Sequence, residues 1–161
     1  MKNTITARHS VRKFTSDKVT SSQIDQLAAA FQASPCGMHQ TDVMEGSIIT
    51  DSQLLDQIED HTDNAAYDAP LIFLIATKKG SNFGERDASA AAENVMLQAT
   101  DLGLGSVYVM SGALKLNDDR QFLKECGIDD GYEATVLVPV GKPAEEDKTV
   151  DRSQRYHLVR K

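Results

Sequence analysis

The segment Leu71–Thr77 restricts the possible folds of this chain most, because six apolar residues and a threonine follow one another without interruption. A strand with one wetted face alternates apolar and polar residues. A continuous apolar run of this length is instead typical of a strand covered on both faces. Pro70 stands directly before the run and marks its beginning. The sequence therefore predicts a central strand with secondary structure packed on either side of it.

Three further segments have the composition of strands: Val43–Thr50, Ser106–Met110 and Ala134–Val140. Gly46 in the first of them indicates a bulge or a kink. Pro139 in the last is unfavourable at the centre of a sheet, because proline cannot donate to the ladder. We therefore expect about four core strands.

Four segments have the apolar spacing and the end signals of helices. The longest is Asp87–Leu102, which has a stripe of small side chains that would let another layer pack closely. The stripe consists of Ala88, Ala91, Ala92, Val95, Met96 and Ala99. The signals that frame the helices are a capping box at Thr20–Gln23 with Pro35, a cap at Asp51, a stop at Gly103, and a cap at Asn117 with an end at Gly127. Four strands with four or five helices predict an α+β fold.

The composition is that of one soluble domain, which we expect to span residues 1–161. Hydrophobic residues make up 40% of the 161 and charged residues 25%, and the net charge of −7 argues against general nucleic-acid binding. No apolar run is long enough for a membrane span, and no signal-peptide core is present, so a cytoplasmic location is expected. Two cysteines do not make a disulfide framework. The stretch 142–155 has the composition of an exposed, linker-like tail.

Two guanidinium groups and a hydroxyl fall within five residues at Arg8–Arg12. In an extended backbone Arg8, Ser10 and Arg12 share one side, and in a helix Arg8 and Arg12 still share one. Guanidinium groups match phosphate and carboxylate oxygens in pairs. The segment is therefore a candidate anion site, and the alternative is a solvated basic stretch.

The segment Ser34–Gln40 joins a predicted helix to a predicted strand. Small residues followed by His39 and Gln40 suit hydrogen bonding to a flat polar ligand, although an ordinary turn has the same composition. Cys36 and His39 have the spacing of a metal-ligand pair, but no second pair stands at the spacing of a structural zinc site, so no metal is expected. Cys36 and His39 could instead form a nucleophilic catalytic pair, although the sequence identifies no third residue that would orient the histidine. The turn Gly103–Ser106 follows a helix, whereas phosphate loops precede one.

Taken in order, these segments resemble the FMN-dependent nitroreductase family. The segment Arg8–Phe14 is similar to the family's R-x-S-x-R/K-x-F, and Ser34–Gln40 stands where the family has A-P-S-x-x-N-x-Q-P. The other segments that carry the resemblance are Asp68–Phe73 (an A-P-hydrophobic strand), Ala90–Ala99 with Leu102–Ser106 (a long helix and a GLGS turn), and Val138–Pro143 (V-x-I-G-x-P). Two positions depart from the pattern. His39 replaces the usual Asn, and Asp42 stands near the usual Pro.

The resemblance implies a mainly antiparallel sheet flanked by helices, in an intertwined homodimer with two FMN sites at the subunit interface. Arg8 and Ser10 would hold the phosphate, and Arg12 would lie towards the pyrimidine edge of the flavin. The implied cofactor contacts are Arg8, His9, Ser10 and Arg12; Pro35, Cys36, Gly37, His39 and Gln40 from the other subunit; the backbone of Met110, Ser111 and Gly112 near the flavin N5; and Arg152 or Arg155 at the phosphate. Residues 142–161 would form a C-terminal tail that reaches the FMN site or the partner subunit.

The implied activity is that of an FMN-dependent oxidoreductase. It would pass a hydride from NADH or NADPH through the flavin to a small acceptor such as a nitroaromatic or a quinone. The chain is shorter than many relatives, in the region between His61 and Asn82 or after Gly112, and a more open site is expected. A flavin-binding sensor or carrier without turnover is an alternative. A third is a binding module without flavin, in which the arginines bind a phosphorylated metabolite.

Overall fold

The computed structural model of the chain describes residues 3–145 and 150–161. Its strands are β1 (Met44–Ile49), β2 (Leu71–Lys78), β3 (Gly105–Ser106) and β4 (Tyr132–Gly141). They form one antiparallel sheet in the order β1-β2-β4-β3. Residues 71–77 are all buried, and β2 lies between β1 and β4. The predicted central strand, covered on both faces, is therefore confirmed.

The helices are α1 (Thr4–Ala7), α2 (Ser21–Gln32), α3 (Ser52–Thr62), α4 (Gly84–Asp101), α5 (Met110–Leu116) and α6 (Arg120–Glu125), with 3₁₀ turns at Gly37–His39 and Thr41–Val43. One face of the sheet packs on α2 and α4, through Leu27 and the small-residue stripe of α4. The other face packs on α3, α5 and α6, through Ile58, Leu116 and Leu123. The α+β architecture with helices on both sides of the sheet follows the prediction.

Local capping signals predicted two of the helix starts. The Thr20 hydroxyl accepts from the Gln23 N–H at 3.3 Å, and the Gln23 side chain accepts from the Thr20 N–H at 3.0 Å, which completes the capping box. Asp51 accepts from the N–H groups of Gln53 and Leu54 at the start of α3. Gly103 takes a left-handed conformation with φ of 74° just after α4, which only glycine adopts without strain.

Gly46 makes no bulge, contrary to the prediction. It pairs in regular register with Ile75 of β2, and the irregularity in the sheet lies between Ile75 and Ala76 in the pairing with β4. A Cβ at Gly46 would lie 2.9 Å from the ring of Phe31 and 3.0 Å from that of Phe73. Glycine is required here because the ring of Phe31 on α2 and the ring of Phe73 on the neighbouring strand β2 occupy the space of a Cβ.

The prediction that Pro139 would keep its strand from the sheet centre is wrong, since β4 has neighbours on both sides. The Pro139 oxygen accepts from Val107 on the β3 side, and the N–H and C=O of one residue in an antiparallel strand point the same way. The missing N–H therefore faces β3, which ends at Ser106. The ladder between β4 and β2 loses no bond.

Other element boundaries also differ from the predicted ones. The strand predicted at Ser106–Met110 ends at Ser106, and Met110 begins α5, a helix that the sequence analysis did not predict. The helix predicted from Asn117 begins at Arg120, because Asp119 supplies the cap and Asn117 instead binds the N–H and C=O of Ala134 on β4. α4 begins three residues before Asp87. α1 is a further unpredicted helix, so the described residues contain six α-helices.

Candidate functional site

The Arg8–Arg12 segment is extended, which settles the choice that the sequence left open. α1 ends at Ala7, and Arg8 has φ of −57° and ψ of 129°. Ser10 forms an isolated parallel bridge with Ser106, and the Val11 N–H donates to the Ser106 oxygen at 2.9 Å. Val11 is buried and packs so closely on Gly105 that a Cβ there would lie 2.7 Å from the valine side chain. The segment is thus anchored along the β3 edge of the sheet through Val11, while Ser10 and Arg12 stay exposed.

The two arginines of this segment have different electrostatic surroundings. The Nε of Arg8 lies 3.3 Å from a carboxylate oxygen of Glu93 on α4, and the arginine is largely covered. Arg12 is exposed, and its guanidinium has no hydrogen bond or ion pair with the residues that the structure describes. His9 is half-buried, with Nδ1 3.2 Å from the oxygen of Ala7. Arg12 is therefore the cation that can take an anionic ligand without giving up a protein partner.

The tail returns to this segment through Arg152. One of its terminal nitrogens donates to the Arg8 oxygen at 2.7 Å and the other to the Thr6 oxygen. Arg155 is exposed and lines, with Arg152 and Thr6, a groove of about 800 Å³ beside α1. In the stretch 142–155, predicted to be an exposed tail, Lys142, Ala144 and Glu145 are exposed. Residues 146–149 lie outside the described part of the chain. Arg152 ties the tail to the candidate anion site.

Ser106 lies on β3 directly beside this segment. It is 1% exposed, and its hydroxyl has no hydrogen-bond partner in the part of the chain that the structure describes. A buried hydroxyl without a partner is costly and therefore uncommon in folded proteins. Ser106 therefore has both a hydroxyl without a described partner and the backbone bridge to Ser10.

The second group of predicted contacts forms a tight loop between α2 and β1. Pro35 and Gln40 are exposed, Cys36 is half-buried, and the Gln40 N–H donates to the Gly37 oxygen at 3.1 Å. Met38 and His39 both have left-handed backbones, with φ of 55° and 56°. Side chains other than glycine, asparagine and aspartate rarely adopt this conformation, and strain of this kind concentrates at functional sites.

Among the described residues, neither cysteine has a hydrogen bond to a histidine or belongs to a group of metal-ligating side chains. Both thiols are free, and no hydrogen bond joins Cys36 to His39 among the described residues. Burial raises the pKa of Cys126 to about 11, so that thiol stays protonated near neutral pH. Within residues 3–145 and 150–161, no group of three His, Cys, Asp or Glu side chains could hold a metal ion.

The third group, Met110, Ser111 and Gly112, occupies the first turn of α5. Met110 is 56% exposed and Ser111 is exposed, while Gly112 is buried between Ala65 and Leu137. The Tyr108 hydroxyl, two residues before the helix, lies 3.1 Å from that of Ser89 on α4. This group begins four residues after Ser106, the residue of β3 that bridges to Ser10.

The helix α4 contacts both the Arg8–Arg12 segment and the Pro35–Gln40 loop, but through different residues. Glu93 pairs with Arg8, whereas Asp87, six residues earlier and on another side of the helix, binds the N–H of Gly37. No hydrogen bond or ion pair of the described chain joins the Arg8–Arg12 segment to the Pro35–Gln40 loop. In the described chain the two groups are therefore held by different residues of α4, Glu93 and Asp87, without a direct polar contact between them.

Sequence reasoning missed Asp87, Glu93 and Tyr108. Asp87 could have been found, because an acid stands at the head of the otherwise apolar stripe that continues through Ala91 and Val95. A carboxylate on the apolar, buried face of a helix is expected to have a hydrogen-bond partner there. Nothing local marks Glu93 or Tyr108, since their partners are distant in sequence.

The family model named "Nitroreductase family" matches residues 39–142. The chain belongs to the nitroreductase family. A curated protein of Methanothermobacter thermautotrophicus, with the provisional name NADH dehydrogenase/NAD(P)H nitroreductase, is 28% identical over 96% of this chain and 84% of its own length.

Two solved nitroreductases, both with bound FMN, have closely similar folds. The protein of Bacteroides fragilis aligns with a TM-score of 0.84 at 21% identity, covering 98% of this chain and 97% of the other. That of Desulfitobacterium hafniense aligns with a TM-score of 0.84 at 16% identity, covering 99% of this chain and all of the other. The chain's short length therefore does not separate it from these two members of the nitroreductase family. No described helix is long and apolar enough to cross a membrane.

Proposed function

We propose that this nitroreductase-family protein is an FMN-dependent oxidoreductase that moves a hydride from NADH or NADPH to a small acceptor such as a nitroaromatic or a quinone. The observation that carries the proposal is the set of cations at the β3 edge. Arg8 and Arg12 flank Ser10, and Arg152 is tied to the same backbone, in a chain with a net charge of −7. The FMN bound in the two similar structures and the name of the curated relative agree with it.

The donor set suits a flavin phosphate. The contact of Arg8 with Glu93 runs through Nε, so the terminal nitrogens of the guanidinium remain for a second anion. Ser10 offers an exposed hydroxyl to the same phosphate, whereas the exposed guanidinium of Arg12, without a partner among the described residues, is left for another part of the ligand. Guanidinium forks and hydroxyls are the usual partners of phosphate oxygens. The orphaned Ser106 hydroxyl beside them is a further polar group at the same edge.

Each residue then has a definite task. Bound FMN would supply the reversible two-electron chemistry. Arg8 and Ser10 would bind the phosphate end of the cofactor, and Arg152 holds the tail to the backbone of Thr6 and Arg8. Arg12 would offer a fixed positive charge to the pyrimidine edge of the flavin, which would favour the more negative, reduced form of the cofactor. No acid–base pair is required of the protein.

A second copy of the chain would bring the Arg8–Arg12 segment and the Pro35–Gln40 loop together in one site. The loop Pro35–Gln40 of one subunit would complete the site at the Arg8–Arg12 segment of the other. Apolar side chains on the surface of the single chain support an interface, since Met38, Met110 and Leu114 are 77%, 56% and 54% exposed. A homodimer measured by sedimentation is the expected result, and a protein that binds FMN as a monomer would contradict this arrangement.

The decisive experiment begins with the visible absorption spectrum of the purified protein. We expect the absorption of oxidised flavin, either as purified or after reconstitution with FMN. Rapid mixing with NADH or NADPH without oxygen should then bleach it, and addition of a quinone should restore it. A protein that holds FMN but is not reduced would be a sensor or a carrier. A colourless protein that cannot be reconstituted would rule out both flavin functions.

A further inference from the structure

Asp87 is a buried acid whose carboxylate serves one distant loop. The residue is 8% exposed, and its two oxygens accept from the Gly37 N–H at 3.1 and 3.0 Å. Its side chain has no other hydrogen bond or ion pair in the described part of the chain. A buried carboxylate is costly unless it is hydrogen-bonded, so this contact is needed by both partners.

The loop that Asp87 binds is strained and has little else to hold it. Met38 and His39 have consecutive left-handed backbones, which persist only when the surroundings impose them. Gly37 lies flat against the ring of Phe83, where a Cβ would come within 2.6 Å of a ring carbon. The carboxylate of Asp87 and the ring of Phe83, both at the start of α4, therefore set the shape of the turn Gly37–His39.

The geometry points to Asp87 as a positioning residue that holds the turn Gly37–His39 in the shape in which it meets the ring and ribityl end of FMN. This inference rests on the proposed function. Asp87 is buried and both of its carboxylate oxygens accept from the Gly37 N–H, so it would act on the cofactor through the turn rather than by direct contact. Its effect is transmitted through the backbone of Gly37.

The role predicts a particular pattern of ligand affinities. Riboflavin has the ring and the ribityl chain of FMN but lacks the phosphate. A residue that positions the ring end should affect the affinities for FMN and riboflavin by the same factor. A residue that binds the phosphate, as proposed for Arg8, should affect FMN alone.

Three variants separate the positioning role from general stability. Asp87→Leu removes the acceptor at similar volume, and Asp87→Asn retains one acceptor oxygen. Glu85→Gln, an exposed acid in the first turn of the same helix, is the matched control. Dissociation constants for FMN and riboflavin are measured by flavin fluorescence, well below the unfolding temperature of each variant. Hydrogen exchange at the Gly37 amide is measured without ligand.

We expect Asp87→Leu to weaken both ligands by the same factor, on the order of tenfold, the equivalent of one hydrogen bond to a charged group. Asp87→Asn should weaken both less, Glu85→Gln should weaken neither, and Arg8→Ala should weaken FMN only. The Gly37 amide should exchange faster in Asp87→Asn than in Glu85→Gln. This measurement tests the hydrogen bond between Asp87 and Gly37 even if Asp87→Leu does not fold.

Unchanged affinities in folded Asp87 variants, or unchanged exchange at Gly37, would overturn the positioning role and leave the proposed function intact. A loss confined to FMN would also overturn it, because it would place the effect at the phosphate. If the wild-type protein binds neither flavin, the proposed function fails and the role of Asp87 fails with it.

Discussion

The guanidinium of Arg152 donates to the backbone oxygen of Arg8 at 2.7 Å, across 144 positions of the sequence. A second bond from the same guanidinium reaches the oxygen of Thr6. The C-terminal tail is thereby attached to the extended segment that carries the candidate phosphate ligands. Arg152 and Arg155 thus have different environments, although the sequence alone does not distinguish them.

Replacement of Arg152 by alanine should release the tail. We expect a loss of about 1 kcal/mol in the free energy of unfolding, faster proteolysis within residues 150–161, and weaker FMN binding. Arg155→Ala is the matched control, because the exposed Arg155 side chain has no hydrogen bond or ion pair within the described residues. Equal proteolysis of the two variants would show that the bonds from Arg152 do not hold the tail.

Replacement of Arg12 by alanine should leave stability unchanged but impair the flavin. The side chain is exposed and has no described partner, so its loss breaks no protein contact. FMN affinity should fall roughly tenfold, and reduction by NADPH should slow, because a charge-assisted contact to the flavin disappears. The flavin content and the rate of bleaching measure these effects, with Lys18→Ala as an exposed cation control. Unchanged flavin content together with an unchanged rate would refute the role of Arg12.

Glu59 should make stability depend on pH. Burial raises the pKa of Glu59 above its ordinary value of 4.5, and the N–H groups of Asp68 and Ala66, which bind its carboxylate, offset this only in part. The folded protein therefore holds this proton more tightly than the unfolded chain does. The resulting stabilisation is complete below pH 4.5, and it is lost as the pH rises through the higher, folded-state pKa.

Glu59→Gln cannot titrate, so its free energy of unfolding should rise relative to that of the wild type over the same interval. Urea denaturation at a series of pH values measures the difference. The exposed Glu85→Gln serves as the control, for which the difference should stay nearly constant. A difference that moves in the opposite direction for Glu59→Gln would contradict the raised pKa.

Gly46→Ala should be destabilising by about 1–3 kcal/mol, because the added methyl group would overlap the rings of Phe31 and Phe73. A second substitution, Phe31→Leu, replaces one of these rings with a smaller side chain and leaves room for the added methyl group. The double variant should therefore lose less than the sum of the two single losses, as chemical denaturation of all four proteins can measure. Strict additivity would mean that ring contact is not the reason for glycine at this position.

Patterns within a few residues were sufficient to predict much of the framework. The unbroken apolar run Leu71–Thr77 predicted a strand covered on both faces, and the caps at Thr20 and Asp51 predicted two helix starts. Each of these signals lies within a short run of consecutive residues, so the sequence displays it directly. The side chains of Arg8–Arg12 likewise indicated a candidate anion site, which stays a prediction.

Contacts between distant residues decided the rest. Pro139 is accommodated inside the sheet because its missing N–H faces the short strand β3, and Gly46 is required by rings from α2 and β2. The partners of the candidate site residues are equally remote, with Glu93 beside Arg8 and Asp87 beneath Gly37. No local pattern encodes such pairs, since they arise only when the packing of α4 on the sheet brings separate segments to within hydrogen-bonding distance.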